Sequence, residues 1–260
     1  MDLLERIRAA KRAETENEMR VVPMRRAIEL ASSAPPPHPF AAALRRPDRV
    51  TVIAEVPAPG SKRAAGLLLD PTATARTFAA AGAVALSVIT DTLFLQGSPA
   101  HLGAVRAAVD LPLLRKDFIV NEYGLYRSRA LGADALLLMA RLPEPRLLQT
   151  LIGVSRSLHM DTLVEVQDEE DVRRALDGGA DLVVVNNRDP VTRAATVETS
   201  LRLAPLLTTT VRVSMGGIET AEDVARLRGA GFDAVLLGER LMREADPGVA
   251  LQRIMGGGGS

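Results

Sequence analysis

The sequence predicts a single (β/α)8 barrel, the TIM-barrel architecture, preceded by an N-terminal helical extension. Two observations carry the prediction. Eight short apolar runs alternate with stretches whose apolar residues recur at helical spacing, as Val172, Ala175 and Leu176 do, or Val224, Leu227 and Ala230. Alternation of that kind implies parallel strands joined by crossover helices. A glycine also recurs between helix and strand, at Gly82, Gly132, Gly179 and Gly231, with spacings of 50, 47 and 52 residues. Each is placed to end a helix in a left-handed conformation, and each interval spans two strand–helix units, so four double units make eight. The competing architecture is an open doubly wound sheet, whose glycine-rich turn after the first strand is missing here. A chain of 260 residues, 47% of them hydrophobic, can bury the core that a barrel needs.

In order along the chain, the extension is expected over residues 1–48. It comprises an amphipathic helix with Leu3, Leu4, Ile7 and Ala10 on one side, a second helix around Met24 to Ala31, and a Ser-Ser-Ala-Pro-Pro-Pro-His-Pro stretch. Such a segment either caps the barrel bottom or reaches up to cover the active site, and the pattern leaves both open. Strands are expected at Val50–Val56, Val84–Ile89, Leu111–Arg115, Ala135–Ala140, Leu163–Val166, Leu182–Val185, Val211–Ser214 and Ala234–Leu237. The domain is expected to run over residues 1–255. Residues 256–260, Gly-Gly-Gly-Gly-Ser, have the composition of a flexible linker and stand apart from it.

Composition narrows the function classes. Lys plus Arg equals Asp plus Glu at 32 each, so no net charge recruits nucleic acid, and no aromatic interleaving offers bases a stacking surface. The absence of cysteine removes disulfides, thiolate metal sites and a cysteine nucleophile, and suits a reducing compartment. The N-terminus is charged within a few residues and lacks the apolar run of a signal peptide or membrane span, so a soluble, cytoplasmic protein without membrane or nucleic-acid partners is expected. His38, His101 and His159 have no partner at metal-ligand spacing and are read as surface residues, with no metal site. Asp168-Glu169-Glu170-Asp171 reads as the acidic first turn of a helix, and the Arg25-Arg26 and Arg45-Arg46 pairs as solvated or phosphate-side charges.

Polar residues at strand ends carry the chemistry. Both faces of a barrel strand are covered, so a charge within one is costly unless it reaches the open C-terminal mouth. Glu55, Lys116, Glu165 and Asn186 stand there, on the first, third, fifth and sixth strands. They form either a catalytic pocket or a structural ion-pair network. Gly216-Gly217 follows the seventh strand, and Gly238-Glu239 follows the eighth and opens the helix-like Arg240-Leu241-Met242. In barrels these two loops often hold a phosphate through close backbone approach.

Together with Ser87-Val88-Ile89-Thr90-Asp91, Gln96-Gly97-Ser98, Leu114-Arg115-Lys116-Asp117-Phe118, Leu163-Val164-Glu165-Val166 and Asn186-Asn187-Arg188-Asp189, these segments resemble the indole-3-glycerol phosphate synthase family over nearly all of residues 1–255. The resemblance implies a lyase of tryptophan biosynthesis. That lyase closes an indole ring on 1-(2-carboxyphenylamino)-1-deoxyribulose 5-phosphate, with loss of carbon dioxide and water and no cofactor. By that resemblance Lys116 is the general acid, Glu165 assists proton transfer in the dehydration and Glu55 orients the lysine. Asn186 holds substrate hydroxyls, Phe118 lines the aromatic pocket, and Arg188, Ser87 and Leu137 complete the substrate contacts. Phosphate contacts fall to Ser61, Gly216, Gly217, Gly238 and Glu239. The partner expected is the small sugar-phosphate substrate, bound by a monomer or weak homodimer.

Two positions depart from the family pattern. Pro57 stands where the family usually has a catalytic lysine, and Met215-Gly216 where it usually has Glu-Ser; Lys62, in the following loop, is the nearest replacement cation. A pocket short of one lysine and one carboxylate discriminates less strongly for a carboxylate-bearing ring, which predicts low or absent turnover of the family substrate. Two further readings stand beside this one: a paralogue acting on a related arylamino sugar phosphate, and a catalytically degenerate phosphate-binding scaffold.

Overall fold

Eight parallel strands close into a barrel in the computed structural model, which describes residues 2–58, 70–189, 192–207 and 211–256. They are β1 (Thr51–Val56), β2 (Ala85–Ile89), β3 (Leu113–Lys116), β4 (Ala135–Met139), β5 (Asp161–Val166), β6 (Leu182–Asn186), β7 (Val211–Met215) and β8 (Ala234–Leu237). Each pairs with the next, and β1 closes the ring on β8. Because side chains alternate, Ile53, Leu114, Leu163 and Val213 fill the interior, while Val52, Leu86, Val164 and Val183 pack outward beneath the helices. A strand covered on both faces has to be apolar throughout, which is why continuous runs mark these strands. The third strand is displaced from its expected range, starting two residues later and taking in Lys116. Pro112 has no N–H for the ladder and only accepts, from Leu86 at 2.9 Å.

Helices α4 (Pro71–Ala80), α5 (Pro99–Ala108), α6 (Glu122–Ala130), α7 (Pro145–Ser157), α8 (Glu169–Asp177), α9 (Glu198–Leu203), α10 (Ala221–Gly229) and α11 (Pro247–Ile254) follow the strands. Their starts are written locally. Asp70, Ser98, Asn121, Asp168, Thr220 and Asp246 each accept from a backbone N–H of the first turn, and proline opens α4, α5, α7 and α11. The four repeating glycines have φ between 80° and 99°, as a left-handed helix end requires.

The extension reaches both ends of the barrel. Helix α1 (Leu3–Val21) lies across the mouth, α2 (Met24–Ser33) runs beside α6, and α3 (Phe40–Leu44) closes the bottom. Two α6 side chains hold this path. The Tyr123 hydroxyl donates to Val22 O at 2.9 Å near the top, and Arg129 donates to Ala34 O at 3.1 Å near the bottom. At the bottom Phe40 and Leu44, both fully buried, join the inner core, while Ala41 N donates to Asp161 at 2.8 Å. His38, expected at the surface, keeps its side chain 34% exposed and is also tied to the barrel bottom. Its backbone N–H donates to Asp134 at 2.7 Å, and its ring sits between Asp134 and Asp110. Asp134 is buried at the start of β4 and gathers donors from Leu113 N and Arg106 as well, since a buried carboxylate has to be satisfied. Among the described residues no helix is long and apolar enough to cross a membrane.

Candidate functional site

The four odd-numbered strands each send one residue into the uppermost interior layer: Glu55, Lys116, Glu165 and Met215. A layer of four from alternate strands is what barrel geometry supplies. Here it holds two carboxyls, one amine and one thioether at the floor of a cavity of about 470 Å³. Lys116 Nζ pairs with Glu55 and lies 3.8 Å from Met215 Sδ. The lysine therefore meets Glu55 directly, the residue expected to orient it, and reaches Glu165 only through its charge. Gly238 makes the pair possible, because a Cβ there would come within 2.8 Å of Glu55 Oε1.

Glu165 is 7% exposed and accepts from Asn186 Nδ2 at 2.8 Å. Burial pushes its carboxyl above the ordinary range; the Asn186 hydrogen bond and the Lys116 charge pull the other way without cancelling it. It is thus a group able to hold a proton beside a charged amine. Asn186 Oδ1 in turn accepts from Arg188 N at 3.0 Å, so one amide orients both the carboxyl and the following turn. The neighbouring Asn187 points the other way. It binds Ser214 Oγ and Gly216 O, each at 2.9 Å, and Ser200, and serves structure alone.

The opposite wall is built from backbone. Gly216 and Gly217 have φ of 82° and 66°, and a Cβ on Gly217 would lie 2.5 Å from Ala195 C. Their N–H groups donate to no acceptor among the described residues. Arg188 crosses from the end of β6 to Glu239 at 2.8 Å, and Arg243 also reaches Glu239. Leu241–Arg243 forms a short 3-10 turn after Gly238.

The remaining predicted residues divide. Phe118 and Leu137 line the cavity, with Phe118 packed edge-on to Phe94 at 5.7 Å. Ser87 does not line it. Paired in register with Glu55 and facing inward below Ile89, it is fully buried, and its hydroxyl has no hydrogen-bond partner among the described residues, so the expected substrate contact is replaced by a place beneath the floor. Ser61 and Lys62 lie outside the described residues, while Pro57 is buried at the end of β1. Of the two paths left open for the extension, its start takes the one over the mouth, where Asp2 and Leu3, Leu4 and Ile7 of α1 line the cavity; the sequence reading missed Arg141, Arg193 and Arg240, which line it as well. Arg240 lies in the helix-like stretch after the eighth strand; Arg141 and Arg193 carried no signal of periodicity or spacing.

Fold and site together define a class: a (β/α)8-barrel protein with an acid–base cluster at the strand C-termini and a glycine-lined wall across from it. Comparison with known proteins narrows the class. The family model described as indole-3-glycerol phosphate synthase matches residues 4–254. A protein of that name from Roseiflexus sp. (strain RS-1) is 44% identical, with 98% of each chain covered. "Indole-3-glycerol phosphate synthase 2" of Streptomyces coelicolor is 46% identical over 88% of this chain and 89% of its own. Among solved structures, a thiamine phosphate pyrophosphorylase from Pyrococcus furiosus superposes with a TM-score of 0.59 at 14% identity, covering 78% of this chain and 92% of its own, a likeness of fold alone. The chain belongs to the indole-3-glycerol phosphate synthase family.

Proposed function

We propose that the protein converts 1-(2-carboxyphenylamino)-1-deoxyribulose 5-phosphate to indole-3-glycerol phosphate, carbon dioxide and water, as a carboxy-lyase of tryptophan biosynthesis. The observation that carries the reading is the Lys116–Glu55 pair beside a buried, proton-holding Glu165. Ring closure puts negative charge on the substrate carbonyl oxygen as the ring carbon bearing the carboxylate attacks. Lys116, positioned by its pair with Glu55, supplies the proton, and in a site screened from water such a donor acts strongly. Loss of carbon dioxide returns the electron pair to the ring. The new hydroxyl then leaves as water, taking a proton from Glu165, which recovers one as the indole forms. The unengaged N–H groups of Gly216 and Gly217, with Gly238, Glu239 and Arg188 nearby, suit the phosphate. Asn186 suits the sugar hydroxyls, and Phe118 and Leu137 the aromatic half.

One observation favours a second reading, a paralogue acting on an arylamino sugar phosphate without the carboxylate. Met215 occupies the fourth place in the top layer and sets a thioether against Lys116. Both readings meet in one assay of indole absorbance, with the carboxylated substrate and its decarboxy analogue, for the wild type and Lys116→Met. The first reading expects product from the carboxylated compound at a kcat/KM below the ordinary range of about 10⁴–10⁸ M⁻¹s⁻¹, with the variant inactive. Equal product from wild type and variant sinks it, and turnover of the analogue alone selects the second.

A further inference from the structure

The chain holds three lysines, at positions 11, 62 and 116, against 29 arginines. One of the three is the mouth amine Lys116. Another, Lys11 of α1, is buried at 6% exposure and takes no part in the chemistry described above. It touches three carboxylates: Asp117 at 2.7 Å, Asp91 at 3.2 Å, and Glu14 one turn on in its own helix. Burial alone would lower its pKa, yet the charges of Asp117 and Glu14 and their hydrogen bonds raise it, so the amine stays charged. A compact ammonium ion can sit among three carboxylates, whereas the planar fork of arginine would need its five donors placed in one plane.

The two barrel carboxylates that Lys11 bridges each organise a loop at the mouth. Asp91, after β2, accepts from the backbone N–H groups of Phe94 and Leu95, both at 2.7 Å. Asp117, directly after Lys116, accepts from Phe118 N at 2.8 Å, from Thr90 Oγ1 at 2.7 Å and from Arg115 at 2.7 Å. Phe94 and Phe118 meet edge to face, and with Ile7 and Leu4 of α1 they form a small apolar cluster above the barrel.

We propose that Lys11 is a positioning residue: by joining Asp91 to Asp117 it fixes the ends of β2 and β3, and so sets Lys116 and the Phe94–Phe118 wall. The proposal rests on the function assigned to Lys116 above. Replacement of Lys11 by methionine removes the cation from buried Asp91, leaves Asp117 with Arg115 alone, and loosens the link between the two loops. Displacement of about 1 Å at a reacting group costs on the order of a hundredfold in rate.

The test compares wild type with Lys11→Met, Lys11→Arg and, as a control at the opposite end, His38→Ala, all assayed below their melting transitions. Turnover is read by indole absorbance. A second readout needs no turnover: with so few lysines, mass spectrometry follows acetylation of Lys116 by acetic anhydride peptide by peptide. Lys11→Met is expected to lose about ten- to a hundredfold in kcat/KM, chiefly in kcat, and to label Lys116 several-fold faster as its pair with Glu55 loosens. Lys11→Arg retains the charge and folds, yet shows the same losses in part, and His38→Ala changes neither readout. Wild-type turnover and labelling in folded Lys11→Met, or equal effects from His38→Ala, would overturn the proposal. If the methionine variant does not fold, unchanged labelling in Lys11→Arg overturns it instead. Should the wild type form no indole, the function assigned to the site fails, and labelling alone decides the role of Lys11.

Discussion

The two ends of the barrel are closed by the same N-terminal extension and handle charge in opposite ways. At the bottom the carboxylates serve to hold the chain in place: buried Asp134 holds Leu113 N, His38 N and Arg106, and the partly exposed Asp161 holds Ala41 N. At the mouth, Glu165 has one amide partner among the described residues, and Glu55 shares a lysine that faces the cavity. Burial raises both Asp161 and Glu165, so an unusual pKa does not by itself separate structure from chemistry. What separates them is the cavity: Glu165 lines it, whereas Asp161 is covered by α3.

Mutations should fall on either side of this divide. The largest effect is expected from Lys116→Met, a loss of roughly 10²–10⁴-fold in kcat measured by indole formation, with the fold intact by circular dichroism. A variant as active as wild type would erase the distinction between the ends. Phe40→Ala should do the reverse, lowering unfolding free energy by about 3–5 kcal/mol in urea titrations while kcat holds below the melting transition. Met215→Glu returns a carboxylate to the fourth place of the top layer and should raise kcat/KM for the carboxylated substrate about tenfold, or ~1.4 kcal/mol of barrier; no gain would show that the thioether is not what limits this pocket.

The smallest effect sharpens the comparison through pH. The folded value of Glu165 is raised above the unfolded one, so the folded state favours its protonated form, and stability fades as pH climbs from the unfolded value through the folded one. Glu165→Gln removes that dependence. In melting temperatures taken from pH 4 to 8, the wild type should fall behind the variant as pH rises, and parallel curves would show that Glu165 stays ionised.

Much of the barrel could be read from the chain because strands covered on both faces must be apolar, and because the helix-ending glycines demand a conformation that other residues avoid. The expected start of β3 failed for a local reason: Leu111 and Pro112 continue the apolar run, but Pro112 has no N–H to donate and the paired register begins at Leu113. Helix α3 was missed since five residues behind a proline-rich stretch show no period, although two of them plug the barrel. Glu55, Lys116, Glu165 and Asn186 were legible as charges or amides in places where water is scarce. Ser87 was not, because a serine's size and polarity suit the layer beneath the floor as well as the floor itself. Lys11 was illegible for the opposite reason: next to Arg6, Arg8 and Arg12 it resembles one more solvated charge, and only Asp91 and Asp117, distant in sequence, make it a buried one.

The path of the extension down α6 has a consequence in time. Its anchoring points, Asp91, Asp117, Asp134 and Asp161, sit on or beside β2 to β5, and these form no common surface until those strands stand next to one another. The extension therefore has no complete set of anchors until β2 to β5 have assembled. A segment that closes both openings is thus held by carboxylates that only the paired strands bring together.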